Sequence, residues 1–253
     1  MPPTLRPYQA SGVAEIRGAF MAGHRHVLYS LPTGGGKTVV FSHIAEQAAM
    51  RGNRIAILVH RQELVDQASR SLHGLDCEHG VIAAGYRQDL RHAVQVVSVQ
   101  TLARRLHTIP AGFFQLLVID EAHHAVAGTW ARILAAMPAA RTLGVSATPE
   151  RLDGRGLGEQ FDTLIQGPDP AWLTANGFLV PARIYAPPGL DLSGIRRFDT
   201  RKGHEQVEAR LRQGQAMGDA VSHYRRTIEP HHNGTAIAFC VSVAHAQAVA
   251  DAF

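Results

Sequence analysis

Short apolar runs alternate with segments of helical periodicity through the first two thirds of the chain. Five runs predict β-strands, at 26–30, 54–59, 94–99, 116–119 and 141–146. Segments 37–50 and 62–72 between them have the spacing of helices. Continuous β-branched runs suit strands that are covered on both faces, and strand–helix alternation produces βαβ units. The pattern therefore predicts an α/β fold built on a parallel sheet.

This alternation fades after residue 168. Two stretches rich in Gly and Pro, "QGPDPAW" and "APPGLDLSG", precede a strongly charged segment at 196–212. The pattern then predicts a helix at 219–228, a strand at 235–241 and a helix that starts at 243. One strand and two helices cannot bury both faces of a sheet, so this part is interpreted as the opening of a second α/β domain.

The resulting division has three parts. They are a first domain at 1–168, a connecting segment at 169–218 and the truncated start of a second domain at 219–253. The helix that begins at 243 has no capping signal before the sequence stops, which favours truncation of a longer protein over completion by another chain.

Composition narrows the class of protein. The chain has 253 residues, of which 45% are hydrophobic, enough for a substantial core. A net charge of +4 permits a polyanionic partner without requiring one. Two cysteines cannot form a disulfide framework, and the sequence shows neither a signal peptide nor an apolar run long enough to cross a bilayer. We expect a cytoplasmic protein with no membrane partner.

The stretch "LPTGGGKT", residues 31–38, follows the first predicted strand and precedes a helix. Glycines let the backbone approach a phosphate closely, and successive N–H groups at a helix N-terminus bind anions. Lys37 would reach the outer phosphates and Thr38 would ligate Mg²⁺. The first glycine position of the common motif holds Leu31. The alternative is a glycine-rich turn with an incidental lysine, which the strand–loop–helix context disfavours.

An acidic pair, Asp120 and Glu121, follows the strand at 116–119 directly. A doubled negative charge at the end of a buried strand needs a cation. Asp120 would hold the Mg²⁺ that bridges the phosphates of a nucleotide, and Glu121 would orient or deprotonate the attacking water. By itself the pair fits a helix N-cap equally well. The phosphate loop favours the catalytic reading.

Seven motifs in order make the chain resemble the superfamily 2 helicases and translocases. They are "LRPYQ" (5–9), "LPTGGGKT" (31–38), "LVHRQELVDQ" (58–67), "VSVQTL" (97–102), "DEAH" (120–123), "SATP" (146–149) and "FCVSVAHA" (239–246). The "RPYQ" and "ATPERLDG" segments are similar to those of bacterial and phage DEAD/DEAH-type helicases related to type III restriction-enzyme helicase subunits. The resemblance covers nearly the whole chain and implies two RecA-like domains, the second of them incomplete.

The resemblance also implies roles for individual residues. Gln9 would contact adenine, and His123 would sense the γ-phosphate beside Lys37, Asp120 and Glu121. The phosphates would be wrapped by Thr33, Gly34, Gly35, Gly36, Lys37 and Thr38. Coupling of hydrolysis to movement would pass through Ser146 and Thr148. Contacts to the phosphates of one nucleic-acid strand would come from His60, Arg61, Gln100 and Thr101.

The expected function is therefore an ATP- and Mg²⁺-dependent helicase or translocase that moves on DNA or RNA, with DNA favoured over RNA. The family motifs V and VI, which supply arginine fingers, are absent from this sequence, so we expect nucleotide binding with weak hydrolysis until a missing segment or partner chain completes the cleft. Two alternatives stay open. One is a nucleotide-binding regulatory or assembly module, and the other is a small-molecule P-loop kinase, which leaves "DEAH" and "SATP" unexplained.

Overall fold

The structure is a computed structural model that describes residues 4–60, 62–124, 127–149, 157–184, 216–229 and 236–253. The chain divides into two compact units, Met1–Pro181 and Ala182–Phe253. Each unit is described by itself.

Strands and helices alternate along the first unit. Its helices are α1 (Pro7–Met21), α2 (Lys37–Ala49), α3 (Gln62–Gly74), α4 (Val99–Arg105), α5 (Ala127–Ala136) and α6 (Pro170–Ala175). Its strands are β1 (His26–Ser30), β2 (Ile55–Val59), β3 (His79–Ile82), β4 (Val94–Ser98), β5 (Leu116–Ile119), β6 (Arg141–Ser146) and β7 (Thr163–Gln166). Short 3₁₀ turns cover Leu106–Thr108 and Ala122–His124. All five predicted strands and both predicted helices of this region are present.

The seven strands form one parallel sheet in the order β3-β4-β2-β5-β6-β1-β7. The predicted α/β class and parallel sheet are confirmed. Because all strands run the same way, their carboxyl ends lie along one edge, where ligands bind in open α/β sheets. The strand order alone therefore predicts which polar residues become neighbours at that edge.

The core consists of two apolar layers, one on each face of the sheet. Along β2, Ile55, Ile57 and Val59 belong to the layer shared with α1, α2 and α3, whereas Ala56 and Leu58 belong to the layer under α4 and α5. Successive side chains of a strand point to opposite faces, so a strand buried on both faces is a continuous apolar run. This is why the central strands were visible in the sequence.

Residues 169–181 pack with the first unit, although the sequence placed them in the connecting segment. The side chain of Leu173 in α6 is fully buried in the core layer of α1 and α2. The compact unit accordingly ends at Pro181, not at residue 168. The charged stretch 196–212 lies outside the described residues, and the assignment of two RecA-like domains with a connecting segment stays a prediction.

The second unit contains α7 (Ala216–Thr227) and α8 (Val243–Ala252), which correspond to the two predicted helices. The predicted strand at 235–241 is wrong, because residues 236–240 carry no β-structure. A strand needs a neighbour for its backbone N–H and C=O groups, and the described residues of this unit include no other strand. Ile237 and Phe239 of this run are 80% and 97% exposed. No helix among the described residues has the length and apolarity to cross a membrane.

Candidate functional site

The carboxyl edge of the sheet brings the predicted site residues into one row. Gln100 follows β4, His60 follows β2, Asp120 follows β5, Ser146 ends β6, and the 31–38 loop follows β1. Because the strand order is β4-β2-β5-β6-β1, the acidic pair and Ser146 lie on the side of the phosphate loop. His60 and Gln100 lie further along the same edge.

The 31–38 loop has the backbone of an anion-binding loop. Gly34 and Gly36 adopt left-handed φ angles of +81° and +88°, and Gly36 is the N-cap residue directly before α2. A Cβ on Gly35 would lie 2.7 Å from Leu31 Cγ, so the loop closes tightly on itself. Glycine is required here both for conformation and for space.

Three consecutive backbone donors of this loop are unpaired among the described residues. Gly35 N–H donates to Pro32 O at 3.0 Å, whereas the N–H groups of Gly36, Lys37 and Thr38 find no acceptor among the described residues. The first N–H groups of a helix have no intrahelical partner and carry a partial positive charge. Such a group of donors next to Lys37 fits a phosphate.

Gln9 lies against the phosphate loop. Its side chain is buried, its Oε1 accepts the Arg6 N–H at 2.9 Å, and its Nε2 donates to Gly35 O at 3.1 Å. The structure thus uses the Gln9 amide to join the start of α1 to the loop backbone. Contact with adenine stays a prediction for this residue.

The surroundings of Asp120 disfavour its ionised form, which a bound cation would stabilise. Burial, followed by the negative charge of Glu121, raises the pKa of Asp120 above its ordinary value. The Glu121 N–H, which donates to Asp120 Oδ1 at 3.0 Å, and the Lys37 ammonium both act in the opposite direction and only partly compensate. Lys37 is therefore close enough to interact electrostatically with Asp120. The half-buried Asp120 carboxylate and the Thr38 hydroxyl offer oxygen ligands of the kind that Mg²⁺ prefers.

A chain of polar contacts links the end of β5 to the end of β6. His123 Nδ1 lies 3.3 Å from Glu121 Oε2 and 2.9 Å from Ser146 Oγ. Ser146 donates its hydroxyl hydrogen to Thr148 O at 2.6 Å and accepts the Thr148 N–H at 3.1 Å. Since that single hydrogen is used, the proton between His123 and Ser146 must be on Nδ1, from which it donates to Ser146. Glu121 itself has a left-handed φ of +50°, a conformation that is unusual for a residue with a long side chain.

The residues predicted to contact nucleic acid meet beyond β2 and β4. Gln100 Nε2 donates to His60 O at 2.5 Å, and Thr101 N–H donates to Ser98 Oγ at 3.4 Å at the start of α4. Gln100 is exposed, whereas the His60 ring packs edge-on against Trp130 at 5.8 Å between centroids. Arg61 lies outside the described residues.

Sequence reasoning missed the residues that surround the phosphate loop. Tyr8 donates its hydroxyl hydrogen to Gly35 O at 2.8 Å, and Leu179 lies so close to Gly34 that a Cβ there would be 2.8 Å from Leu179 Cδ2. Tyr8 stands beside Gln9 in "RPYQ", which was the only available signal. Leu179 is far from the loop in sequence, and no pattern connects the two.

The family match and the curated relatives place the chain among the superfamily 2 helicases related to restriction-enzyme helicase subunits. Residues 3–151 match the family described as "Type III restriction enzyme, res subunit". This chain belongs to that family. The RecA-like fold class expected from the sequence is confirmed.

Three known proteins illustrate the similarity. A 51.5 kDa protein of a Lactococcus phage is 32% identical over 224 residues, covering 88% of this chain and 45% of its own. IRC3 of Saccharomyces cerevisiae, named as a candidate ATP-dependent helicase, is 37% identical over 179 residues, covering 64% of this chain and 26% of its own. The Type ISP restriction-modification enzyme LlaGI, solved with a DNA substrate mimic, shares the fold with a TM-score of 0.55, 14% identity, and coverage of 93% of this chain and 25% of its own.

The chain thus spans less than half the length of these curated relatives. Membership of the helicase family implies ATP-dependent hydrolase chemistry at the level of the family. The activity, track and partners of this chain are proposals.

Proposed function

We propose that the chain is the nucleotide-binding part of an ATP-dependent translocase or helicase that moves on DNA. The observation that carries this proposal is the convergence of a glycine-rich, anion-binding type of loop and an only partly compensated acidic pair at the ends of β1 and β5. The DNA track is supported by family membership and by the DNA mimic bound to LlaGI. A cytoplasmic location belongs to the same proposal.

The residues of the site divide the chemistry between them. The N–H groups of Gly36, Lys37 and Thr38 would donate to phosphate oxygens, and the remaining loop residues Thr33, Gly34 and Gly35 would wrap the phosphates. Lys37 would balance the outer negative charge. Thr38 and Asp120 would hold Mg²⁺, which when bound offsets the acidic pair and polarises the phosphate.

The remaining roles follow from the contacts of the acidic pair. Glu121 would accept a proton from the attacking water. The contact of His123 with both Glu121 and Ser146 would transmit a change at Glu121 to Thr148. His60, Gln100 and Thr101 would contact the nucleic-acid backbone at the other part of the edge. The sequence predicts the same role for Arg61, which lies outside the described residues.

Lysine labelling tests the nucleotide site with an internal control. The chain has two lysines, Lys37 and Lys202. ATP with Mg²⁺ should protect Lys37 from an amine-reactive reagent and leave labelling of Lys202 unchanged, as read by peptide mass spectrometry. The variant Lys37→Ala should lose ATP binding while keeping its circular-dichroism spectrum. Equal labelling of Lys37 with and without ATP would remove the basis of the proposal.

Motor activity needs a separate test, because a regulatory or assembly module would bind ATP equally well. ATP turnover should rise on addition of DNA, and more with DNA than with RNA of the same length and sequence. A chain extended to the length of the relatives should turn over faster than the 253-residue chain if further residues complete the cleft. Turnover that no nucleic acid stimulates in either form would favour the module.

A further inference from the structure

Two side chains from the start of α1 hold a single carbonyl group of the phosphate loop. Tyr8 Oη donates to Gly35 O at 2.8 Å, and Gln9 Nε2 donates to the same oxygen at 3.1 Å. Both side chains are buried, Tyr8 at 8% and Gln9 at 4% exposure. A carbonyl oxygen has two lone pairs, so these two donors satisfy it fully and fix its direction.

The direction of that carbonyl sets the direction of a donor in the anion-binding loop. All peptide bonds of the described residues are trans, and in a planar trans peptide the C=O and the following N–H point in opposite directions. The N–H opposite the Gly35 carbonyl is that of Gly36, the N-cap residue of α2. Holding Gly35 O towards α1 therefore turns the Gly36 N–H away from α1, into the group of donors with Lys37 and Thr38.

The ring of Tyr8 is itself supported by the chain that follows β7. Its edge contacts Phe178 at 4.9 Å between centroids and Trp172 at 6.1 Å, and the Phe178 and Trp172 rings stack at 20°. Leu179, next to Phe178, is in contact distance of Gly34. The loop is thus held by α1 through Tyr8 and by the 172–179 segment through both Tyr8 and Leu179.

We propose that Tyr8 is a positioning residue for phosphate binding: its hydroxyl orients the Gly35–Gly36 peptide, and Phe178 and Trp172 fix its ring. The proposal rests on the proposed function, because it assumes that the loop binds a nucleotide. Tyr8 acts through the backbone of the loop, not on the nucleobase. Its effect should therefore be the same for a ligand that has phosphates and no base.

The variant Tyr8→Phe removes the hydroxyl and keeps the ring. The loss of one buried hydrogen bond should weaken ATP binding about 3- to 10-fold. The control is Tyr86→Phe, which removes a hydroxyl bonded to Asp66 at 2.6 Å on an exposed surface away from the loop. Affinities are measured for ATP and for inorganic tripolyphosphate, well below the melting temperature of each variant, so that a stability difference does not enter.

A second variant tests the aromatic support with the hydroxyl intact. Phe178→Leu should weaken tripolyphosphate binding in the same direction as Tyr8→Phe. Phe113→Leu is its control, because Phe113 makes an edge-to-face contact of 4.9 Å with Phe114 elsewhere in the unit. The ¹³C resonance of the Gly35 carbonyl in the nucleotide-free chain should move in Tyr8→Phe and stay in Tyr86→Phe.

The outcomes separate this inference from the proposed function. A wild-type chain that binds neither ATP nor tripolyphosphate overturns both. A wild-type chain that binds ATP, with Tyr8→Phe equal to Tyr86→Phe in both affinities, overturns only the positioning role. A loss for ATP without a loss for tripolyphosphate would also overturn it, because Tyr8 would then act on the base. Matched losses for the two ligands, with the Gly35 shift, support it.

Discussion

The two parts of the carboxyl edge differ in backbone conformation, charge and hydrogen bonding. At the β1–β5–β6 part, left-handed residues (Gly34, Gly36, Glu121) and the charged pair Asp120–Glu121 adjoin a helix start with unpaired donors. At the β2–β4 part, Gln100 satisfies the His60 carbonyl with a neutral amide, and Ser98 caps α4. The first part contains one non-glycine residue with a left-handed backbone, Glu121, and an acidic pair whose charge is only partly compensated. The second part is satisfied by neutral hydrogen bonds.

This difference indicates where ligand chemistry is concentrated. Strained backbone and uncompensated buried charge reduce the free energy of unfolding, and such features persist at functional sites. A divalent ion would offset the charge of the acidic pair, and a phosphate would accept the unpaired N–H groups of the loop. The second part gains no such relief, so a nucleic-acid backbone there would bind through exposed polar groups with modest individual effects.

Apart from the loss of ATP binding expected for Lys37→Ala, the largest decrease in ATP affinity should come from Gly36→Ala. An alanine would have to keep a φ of +88°, and its Cβ would lie 2.4 Å from Gln9 Nε2. Left-handed backbone alone costs about 1–2 kcal/mol for a residue with a Cβ. Moving the loop to relieve the clash should misdirect at least two charge-assisted donors at about 1.5 kcal/mol each, weakening ATP binding about 100-fold.

Gly52→Ala is the matched control for that variant. Gly52 has a φ of +78°, but a Cβ there meets nothing within 4 Å. It should show the backbone cost in thermal unfolding and bind ATP as the wild type does. Equal ATP affinities of the two alanine variants would show that the Gln9 contact does not position the loop.

Asp120→Asn should raise the stability of the nucleotide-free chain and abolish the effect of Mg²⁺ on ATP affinity. The folded-state pKa of Asp120 is raised, so its stabilising contribution is present below the unfolded pKa and is lost as pH rises through the folded pKa. At pH 7 the ionised carboxylate therefore destabilises the fold. Removing the charge should raise Tm by about 2–4 °C at pH 7, and this difference should vanish below about pH 4.

Asp162→Asn should shift Tm at pH 7 in the opposite direction to Asp120→Asn. The N–H groups of Arg25 and His26 donate to Asp162 Oδ2 at 2.7 and 2.9 Å, and they hold the pKa of that carboxyl below its ordinary value. Its contribution is present above the unfolded pKa and is lost as pH falls. The variant should lower Tm at pH 7. If both variants shifted Tm in the same direction, charge balance at the edge would not explain the result.

How much of this was visible in the sequence depends on burial. The central strands were predicted within one or two residues because they are covered on both faces and consist of continuous apolar runs. The edge strands β3 and β7 were missed because they are four residues long and only partly buried, so polar residues interrupt them. The run at 235–241 has the composition of a strand, but composition alone does not supply a pairing partner.

The site residues likewise divide into those that a local sequence pattern reveals and those that only packing brings together. Asp120 was found because it immediately follows an apolar run, and Lys37 because it ends a glycine-rich loop between a strand and a helix. Their proximity was expected because strand ends converge in a parallel sheet. The contact between Tyr8 and Gly35 joins residues 27 positions apart, and Leu179 reaches Gly34 from the far end of the unit. Such contacts arise from packing, which no local pattern in one sequence encodes.

Ser146→Ala should affect ligand binding less than Gly36→Ala and Asp120→Asn do. It removes the hydroxyl that links His123 to both backbone groups of Thr148, and each lost hydrogen bond should cost about 0.5–1.5 kcal/mol. Ser69→Ala, which breaks the 2.7 Å contact with His79 away from the edge, is the control. Only Ser146→Ala should reduce the change in DNA affinity that ATP causes; an unaltered change would remove Ser146 and Thr148 from the coupling.

The smallest change in ligand affinity should come from Gln100→Ala at the β2–β4 part of the edge. The amide is exposed and holds the His60 carbonyl at 2.5 Å, so its loss should weaken DNA binding only about 2- to 5-fold. Gln100 carries no charge, so the slope of log affinity against log salt should not change, whereas a lost cation would reduce it. Gln88→Ala, which breaks an exposed contact with Thr108, is the control. A Gln100→Ala loss above 100-fold would mean that the β2–β4 part depends on a single anchor, and the contrast between the two parts of the edge would then fail.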